Sequence, residues 1–257
     1  MKILHVIPDL STIAGGPVEA VKNMAKYQTK LGNAVSIITT DFYKPNNLVI
    51  KNVKISYFKC SINFIRYSYE LKKYLSKNIK NFDIVHIHTI WQYPTYIVGK
   101  ICLKNHVPYI LRPCGMLDDW SFSQKKLKKF IYYSLYEKRT IKNASAVHCT
   151  SKAETEEAQK YLQNKNIFIL PLSVDTLFKK ASFNNTSKKY ILYLSRLHYK
   201  KQPDLLIKAF SKLVSDYPNH QLILAGPCET KYKYQLEKII ISLNLKKKNN
   251  FCRHGHW

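Results

Sequence analysis

"YILYLSRLHYKKQPDLLIKAFSKL" spans residues 190–213. Tyr190 to Leu194 form a short apolar run of the length expected for a buried strand. Ser195-Arg196 break the run, and Lys200-Lys201 follow. Pro203 then suits a first helical turn, and Leu205, Leu206, Ala209, Phe210 and Leu213 recur at helical spacing. The stretch therefore reads as one strand-to-helix unit with cations at its turn. Such a turn exposes backbone N–H groups at the positive end of a helix dipole, which suits a phosphate. Arg196 is the more informative cation, because the chain has only five arginines (66, 112, 139, 196 and 253) while lysines are spread along its whole length.

The same alternation continues on both sides. Downstream, "QLILAG" (221–226) reads as a strand and 232–243 as a helix. Upstream, strands are expected at "KILHVI" (2–7), "AVSIITT", "VKISYF", "FDIVHIHT", "PYILRP", "SAVHCTS" and "NIFILPL". Helices are expected between them: one after Gly15-Gly16-Pro17 with the stripe Val18, Val21, Ala25 and Leu31, then 64–78, 93–106, a long one from 125, and 152–162. Strands alternating with helices predict parallel, doubly wound sheets. The polar run 173–188 reads as a linker. It separates a Rossmann-like domain at 1–172 from a second, partial one at 189–257. In such sheets, ligands lie at the carboxyl ends of the strands. Gly15-Gly16, His88 to Trp91, and Arg196 to Lys201 all fall there.

Composition narrows the class. With 46% hydrophobic residues among 257, the chain can fill one large core or two modest ones. The formal charge of +26 invites a nucleic-acid reading. Arginine's fork geometry favours it for base and phosphate recognition, and its scarcity argues against that reading. An anionic membrane surface or a phosphorylated substrate fits better. The six cysteines (60, 102, 114, 149, 228 and 252) show no CxxC pair and no zinc spacing, and are expected to be reduced. His86 and His88 share one face of a strand, but with no third ligand beside them in the sequence no metal is expected. "MKILHVIPDL" is too short and too interrupted for a signal peptide, and no apolar run approaches a membrane span. A cytoplasmic protein, peripheral at most to the inner face of the membrane, is the expectation.

"LYLSRLHYKKQPDLLIKAF" resembles the donor-binding signature of family 4 retaining glycosyltransferases of the GT-B fold, G/S-R-L-x-x-x-K-G before an apolar helix. Arg196 and Lys201 match the family's arginine and lysine, which bind the phosphates of a nucleotide sugar and stabilise the leaving diphosphate. Gln202 stands where the family usually has glycine. "LILAGPCE" resembles the next strand of the family, with Gly226 at its end, and Gly15-Gly16-Pro17 resembles the family's loop after the first strand. "DIVHIHTIWQYP" and "LRPCGMLDDWSF" are similar to segments of a subgroup that assembles polysaccharides. Pro113, Gly115, Met116, Leu117 and Trp120 match, whereas Arg112 and Cys114 do not. "PLSVD" departs from the family's "PNGVD" at Leu172 and Ser173 and matches at Asp175.

The resemblance implies a GT-B enzyme that moves a sugar from a nucleotide sugar to a surface glycan or a polyprenyl- or lipid-linked acceptor, without a metal or other cofactor. It implies catalytic roles for Arg196 and Lys201, and donor or acceptor binding by Gly15, Gly16, Pro17, His88, Trp91, Gly115, Met116 and Gly226. His88 and Trp91 are expected to line the acceptor cleft, and His86 to pack. The rival readings are a non-catalytic glycan- or nucleotide-binding remnant and a basic nucleic-acid binder.

Two expectations remain. Leu127, Phe130, Ile131 and Leu135 are expected to form a core-facing stripe; the alternative, with a rim of lysines and tyrosines, is a face for anionic lipid. The C-terminus comes early for the family. The family's E-x7-E segment has no counterpart, since Glu229 and Glu237 are the only carboxylates after Gly226. In "NNFCRHGHW", Phe251 and Gly255 resemble relics of the family's next apolar strand, while Cys252-Arg253-His254 does not read as a buried strand. A truncated and inactive chain is the expectation.

Overall fold

The computed structural model describes residues 1–11, 15–43, 48–124, 126–162, 166–173, 189–245 and 249–252, the last as backbone only. The chain divides into two compact units, Met1–Leu177 and Phe178–Trp257. The boundary lies within 173–188. Of that stretch, residues 174–188, with Asp175, are outside the described residues.

The first unit is a seven-stranded parallel sheet in the order β3-β2-β1-β4-β5-β6-β7. Its strands are β1 (Lys2–Val6), β2 (Ala34–Thr40), β3 (Val53–Phe58), β4 (Ile84–His88), β5 (Tyr109–Arg112), β6 (Ala146–Cys149) and β7 (Ile167–Ile169). Their side chains alternate between the two faces, as the pleat requires. On one face Leu4, Val6, Val85, Ile87, Leu111 and Val147 join a core with Leu71 and Leu75 of α2 (Tyr69–Asn78) and Val98 and Cys102 of α3 (Tyr93–Asn105). On the other face Ile3, Ile7, Val35 and Ile37 pack with Val18, Val21 and Ala25 of α1 (Gly16–Lys30). Leu31, expected in that stripe, is the exposed residue that ends the helix.

Two helices depart from the periodicity. The one expected over 64–78 begins only at Tyr69. Ser68 caps it by accepting the Leu71 N–H at 3.2 Å, and the preceding residues turn back through an antiparallel bridge between Ile62 and Tyr67. The long helix expected from 125 is broken. After α4 (Asp119–Ser123) come α5 (Lys126–Tyr132), a π-helical turn (Tyr133–Glu137) and α6 (Lys138–Lys142). The wide turn carries Tyr133 and Glu137 inward together, and both are buried. α7 (Lys152–Ala158) joins β6 to β7.

The second unit is smaller, a parallel sheet of order β10-β9-β8. Strands β8 (Lys189–Leu194) and β9 (His220–Ala225) are linked by α8 (Pro203–Leu213), and α9 (Thr230–Ser242) follows. Leu197, Ile207, Phe210, Leu222, Leu224, Tyr232 and Leu236 form its core. The backbone of 249–252 is a strand, β10, which takes in Phe251, with Asn249 opposite Leu222. Residues 253–257 lie outside the described residues. Among the described residues β8 pairs on one side only, and its Tyr190, Ile191, Leu192 and Leu194 are exposed. The fold is α/β with two parallel sheets, the second of three strands among the described residues.

Candidate functional site

In the first sheet β1 lies between β2 and β4, so the chain reverses its direction of winding there. The carboxyl ends of β1 and β4 flank the crevice where ligands of such sheets bind. A pocket of about 260 Å³ occupies that place. The loop after β1 contributes Ile7, Pro8 and Asp9. The start of α1 contributes Pro17. The loop after β4 contributes Thr89, Ile90 and Gln92, and the loop after β5 contributes Met116. Tyr43 and Arg66 complete the wall. Two residues singled out by resemblance, Pro17 and Met116, thus meet at one pocket although they lie in separate loops.

The surrounding backbone is held in conformations that side chains resist. Thr89 has φ 69°, Trp91 71°, Cys114 59° and Arg66 58°. Each left-handed residue costs about 1–2 kcal/mol, and such residues cluster at ligand clamps. The restraints are visible. The Trp91 backbone N–H donates to Glu137 Oε1 at 2.8 Å, and its indole N–H donates to the Met116 carbonyl at 3.2 Å. Trp91 is half-buried and braces the β5 loop from behind. Gly115, with φ 67°, donates its N–H to Glu154 Oε1 at 2.7 Å, while the other carboxylate oxygen accepts from the Thr150 N–H. Gly15 takes φ 70° as the cap of α1, a conformation glycine adopts without strain, and its carbonyl accepts the Val18 N–H. Glu137 is fully buried, and this pushes its carboxyl up to about 7, with the Trp91 N–H pulling the other way.

His88 does not line the pocket. It has no exposed surface, and it is the last residue of β4, directly before Thr89. The sheet order explains this. His5 on β1 stands in register with His86 on β4, and His88 stands in register with Arg112 on β5. A polar row results, with His148 at its far side, 5.5 Å from His86 by ring centroids. His5 Nε2–H donates to Gln28 Oε1 at 2.6 Å, so its Nδ1 accepts from His88 Nε2–H at 2.9 Å. His88 Nδ1 is then bare, as found: it has no partner, and neither has His86 Nε2.

Burial lowers His5 to about 4, against the pull of the Gln28 hydrogen bond and helped by Arg112, and it carries His86 and His88 well below their ordinary value. The expectation that His86 and His88 lack a third neighbour is overturned. Nitrogens of His5, His86 and His88 lie within 4.8 Å of one another. Both ring nitrogens of His5 are engaged, however, and the buried Arg112 guanidinium repels a cation. The row is a chain of imidazoles whose burial favours the uncharged form. Arg112 itself donates from Nε to Cys114 Sγ at 3.1 Å.

In the second unit Arg196 and Lys201 are both exposed, on the loop from β8 into α8. Leu197 anchors that loop: it is buried, and its N–H donates to the Pro227 carbonyl at 2.9 Å. His198 Nδ1 accepts the Lys200 N–H at 3.2 Å. Desolvation lowers His198, and Arg196 lowers it further. Gln202 has φ 49° and ψ 46°. The left-handed conformation that glycine takes readily is imposed here on glutamine, so the departure from glycine leaves a turn that still needs it. Gly226, at φ 144°, serves a close approach. A Cβ there would stand 2.0 Å from the Ser195 carbonyl oxygen. Its part in this loop is to let two strand ends pass.

Sequence reasoning missed Asp9, Tyr43, Arg66 and Gln92 at the pocket and His5, Gln28 and Glu137 around it. A signal existed for two of them. Pro8-Asp9 directly follow the first strand, and Arg66 is one of five arginines.

Comparison with known proteins places this architecture. Residues 14–177 match Glycosyltransferase Family 4, and residues 174–255 match Glycosyl transferases group 1. The chain belongs to Glycosyltransferase Family 4. It is 33% identical over 129 residues to one subunit of the phosphatidylinositol N-acetylglucosaminyltransferase of Arabidopsis thaliana, covering 49% of this chain and 26% of that one. It is 24% identical over 241 residues to an uncharacterized glycosyltransferase of Methanocaldococcus jannaschii, covering 83% and 60%. The chain thus spans less than two thirds of the length of either curated relative. Among solved structures, Anabaena HepE in complex with UDP and glucose superposes with a TM-score of 0.74 at 16% identity, covering 98% of this chain and 69% of that one. Trehalose-6-phosphate synthase superposes at 0.69 and 10% identity, covering 100% and 74%. These likenesses establish for this Family 4 chain the GT-B fold.

Proposed function

We propose that the chain is a glycosyltransferase that moves a sugar, with retention of anomeric configuration, from a nucleotide sugar to a surface glycan or a polyprenyl- or lipid-linked acceptor. Lipopolysaccharide or exopolysaccharide assembly is the setting. The observation that carries the reading is the pocket between β1 and β4, where Pro17 and Met116 meet. Supporting it are the UDP and UDP-glucose bound in HepE and the phosphatidylinositol substrate in the name of the plant relative.

Arg196 and Lys201 bind the diphosphate in this reading and stabilise the charge that develops on it as the sugar leaves. The departing phosphate oxygen takes the proton of the acceptor hydroxyl. Asp9, Arg66 and Gln92 offer that acceptor hydrogen-bonding groups in the pocket, and His88 directly precedes Thr89 of its wall. Gly15-Gly16 and Gly115 shape its loops. No metal or other cofactor is needed by this chemistry. The acceptor-bearing compartment is the cytoplasmic side of the membrane.

A panel of nucleotide sugars in thermal-shift and transfer assays tests the reading. The expected result is stabilisation by one nucleotide sugar that Arg196→Ala or Lys201→Ala abolishes. Stabilisation unchanged in both variants overturns the assignment of the donor site. A second reading, binding without turnover, is favoured by the exposed apolar residues of β8 in the three-stranded second sheet. Donor-dependent stabilisation with no sugar released or transferred distinguishes it.

A further inference from the structure

Helix α5 buries none of its residues in the core. Leu127 and Leu135 are 73% and 66% exposed, and Phe130 and Ile131 lie exposed between them. The stripe expected to face the core is instead a surface. Its opposite side faces inward through Tyr132, Tyr133 and Glu137. An exposed apolar row of this size marks an interaction site.

The charge around the row is one-sided. Lys126, Lys128, Lys138 and Arg139 are exposed on the same segment. Between Lys126 and Lys142 the only carboxylate is Glu137, and it is fully buried. Beside the row, Lys100 and Lys104 of α3 and Arg139 of α6 line a concavity of about 390 Å³ together with Leu135 and Tyr136. Apolar side chains next to a cation-lined hollow match the two layers of a bilayer surface, acyl chains and anionic headgroups.

We propose that this face, α5 with its π turn and the hollow of Lys100, Lys104 and Arg139, docks the first unit on an anionic lipid bilayer. Leu127, Phe130, Ile131 and Leu135 enter the interface, and the cations hold lipid phosphates. The docking needs no assumption about the reaction. It nevertheless fits a lipid-borne acceptor, because Trp91 lies 6.2 Å from the Tyr132 ring of α5 and also donates to Met116, a wall of the pocket.

Flotation of the full 257-residue chain with phosphatidylcholine vesicles, with and without phosphatidylglycerol, tests the proposal. Binding is expected to the phosphatidylglycerol vesicles, and to weaken with salt. Phe130→Ser with Leu135→Ser is expected to lower partitioning more than roughly tenfold. Lys100→Gln and Lys104→Gln are expected to lower it by roughly fivefold each. All four side chains are exposed, so the thermal midpoint should hold. Lys30→Gln with Lys51→Gln, at a lysine-lined groove beside α1, is the control and is expected to change partitioning less than twofold. Equal binding to both vesicle types, no binding, or equal loss in the control overturns the proposal. So does a dimer in sedimentation that Phe130→Ser dissociates, since the face would then be covered by a second copy.

Discussion

Gly226→Ala is expected to be among the most damaging single-methyl changes in the second unit. The new Cβ would stand 2.0 Å from the Ser195 carbonyl oxygen, 2.7 Å from its carbonyl carbon and 3.3 Å from the Arg196 nitrogen. Van der Waals contact needs more than 3 Å, so one backbone must retreat by about 1 Å. Neither can do so cheaply. The Ser195 N–H donates to the Ala225 carbonyl at 3.0 Å, and the Leu197 N–H to the Pro227 carbonyl at 2.9 Å, with Leu197 buried in the core. Overpacking costs roughly 1–3 kcal/mol. The backbone at φ 144°, which alanine resists, adds a further cost of about 1–3 kcal/mol. A loss of about 2–6 kcal/mol follows, a large share of a typical domain's stability. Urea denaturation followed by circular dichroism measures the loss, and hydrogen exchange over 189–226 locates it. Gly16→Ala is the comparison: nothing lies within 4 Å of its Cβ and its φ is not positive, so it should stay within about 0.5 kcal/mol of the parent. If Gly226→Ala is as mild as Gly16→Ala, the close approach is not what requires glycine.

Acid should unfold the first unit through its histidines. A base whose folded value is lowered contributes stability above its unfolded value and loses it as pH falls. For His5 that window runs from 6.5 to about 4, roughly 3 kcal/mol in all, with His86 and His88 acting in the same direction. A denaturation midpoint that stays flat from pH 7 to 4.5 would show that the row is hydrated. Glu137 works in the opposite sense, since a raised carboxyl loses stability as pH rises from 4.5 to about 7. Glu137→Gln keeps an acceptor for the Trp91 N–H, so it should stabilise the protein by about 1–3 kcal/mol at pH 8 and steepen the acid loss. Destabilisation at pH 8 would mean that the ionised form is needed to hold Trp91. Gln202→Gly removes a left-handed glutamine and should raise stability by up to about 1 kcal/mol, read by urea midpoint. A lower midpoint would mean that the side chain of Gln202 contributes contacts of its own.

The sequence by itself determined the elements and the family. Strand and helix periods are local, and the turn chemistry at Gly15-Gly16-Pro17 and at Ser195 to Pro203 lies within a few residues, so the alternation and the parallel class were readable from short windows. Where local signals compete, reading failed. The cap at Ser68 cuts short a helix whose apolar pattern begins earlier, and the π turn before Lys138 interrupts a pattern that looks continuous.

What only the tertiary structure decided are juxtapositions. His5 and His88 lie 83 residues apart, and they meet because β1 pairs with β4. That pairing takes His88 off the pocket wall and leaves the wall to Thr89 and Gln92. The apolar row of α5 could face a core or a surface at the same spacing. The side it takes depends on the inward turn of Tyr133 and Glu137, and Glu137 is bound to the loop of Trp91 from another part of the sheet. Spacing along the chain carries the period of a helix but not the identity of what lies against each face, because that is set by strands brought together from distant parts of the sequence.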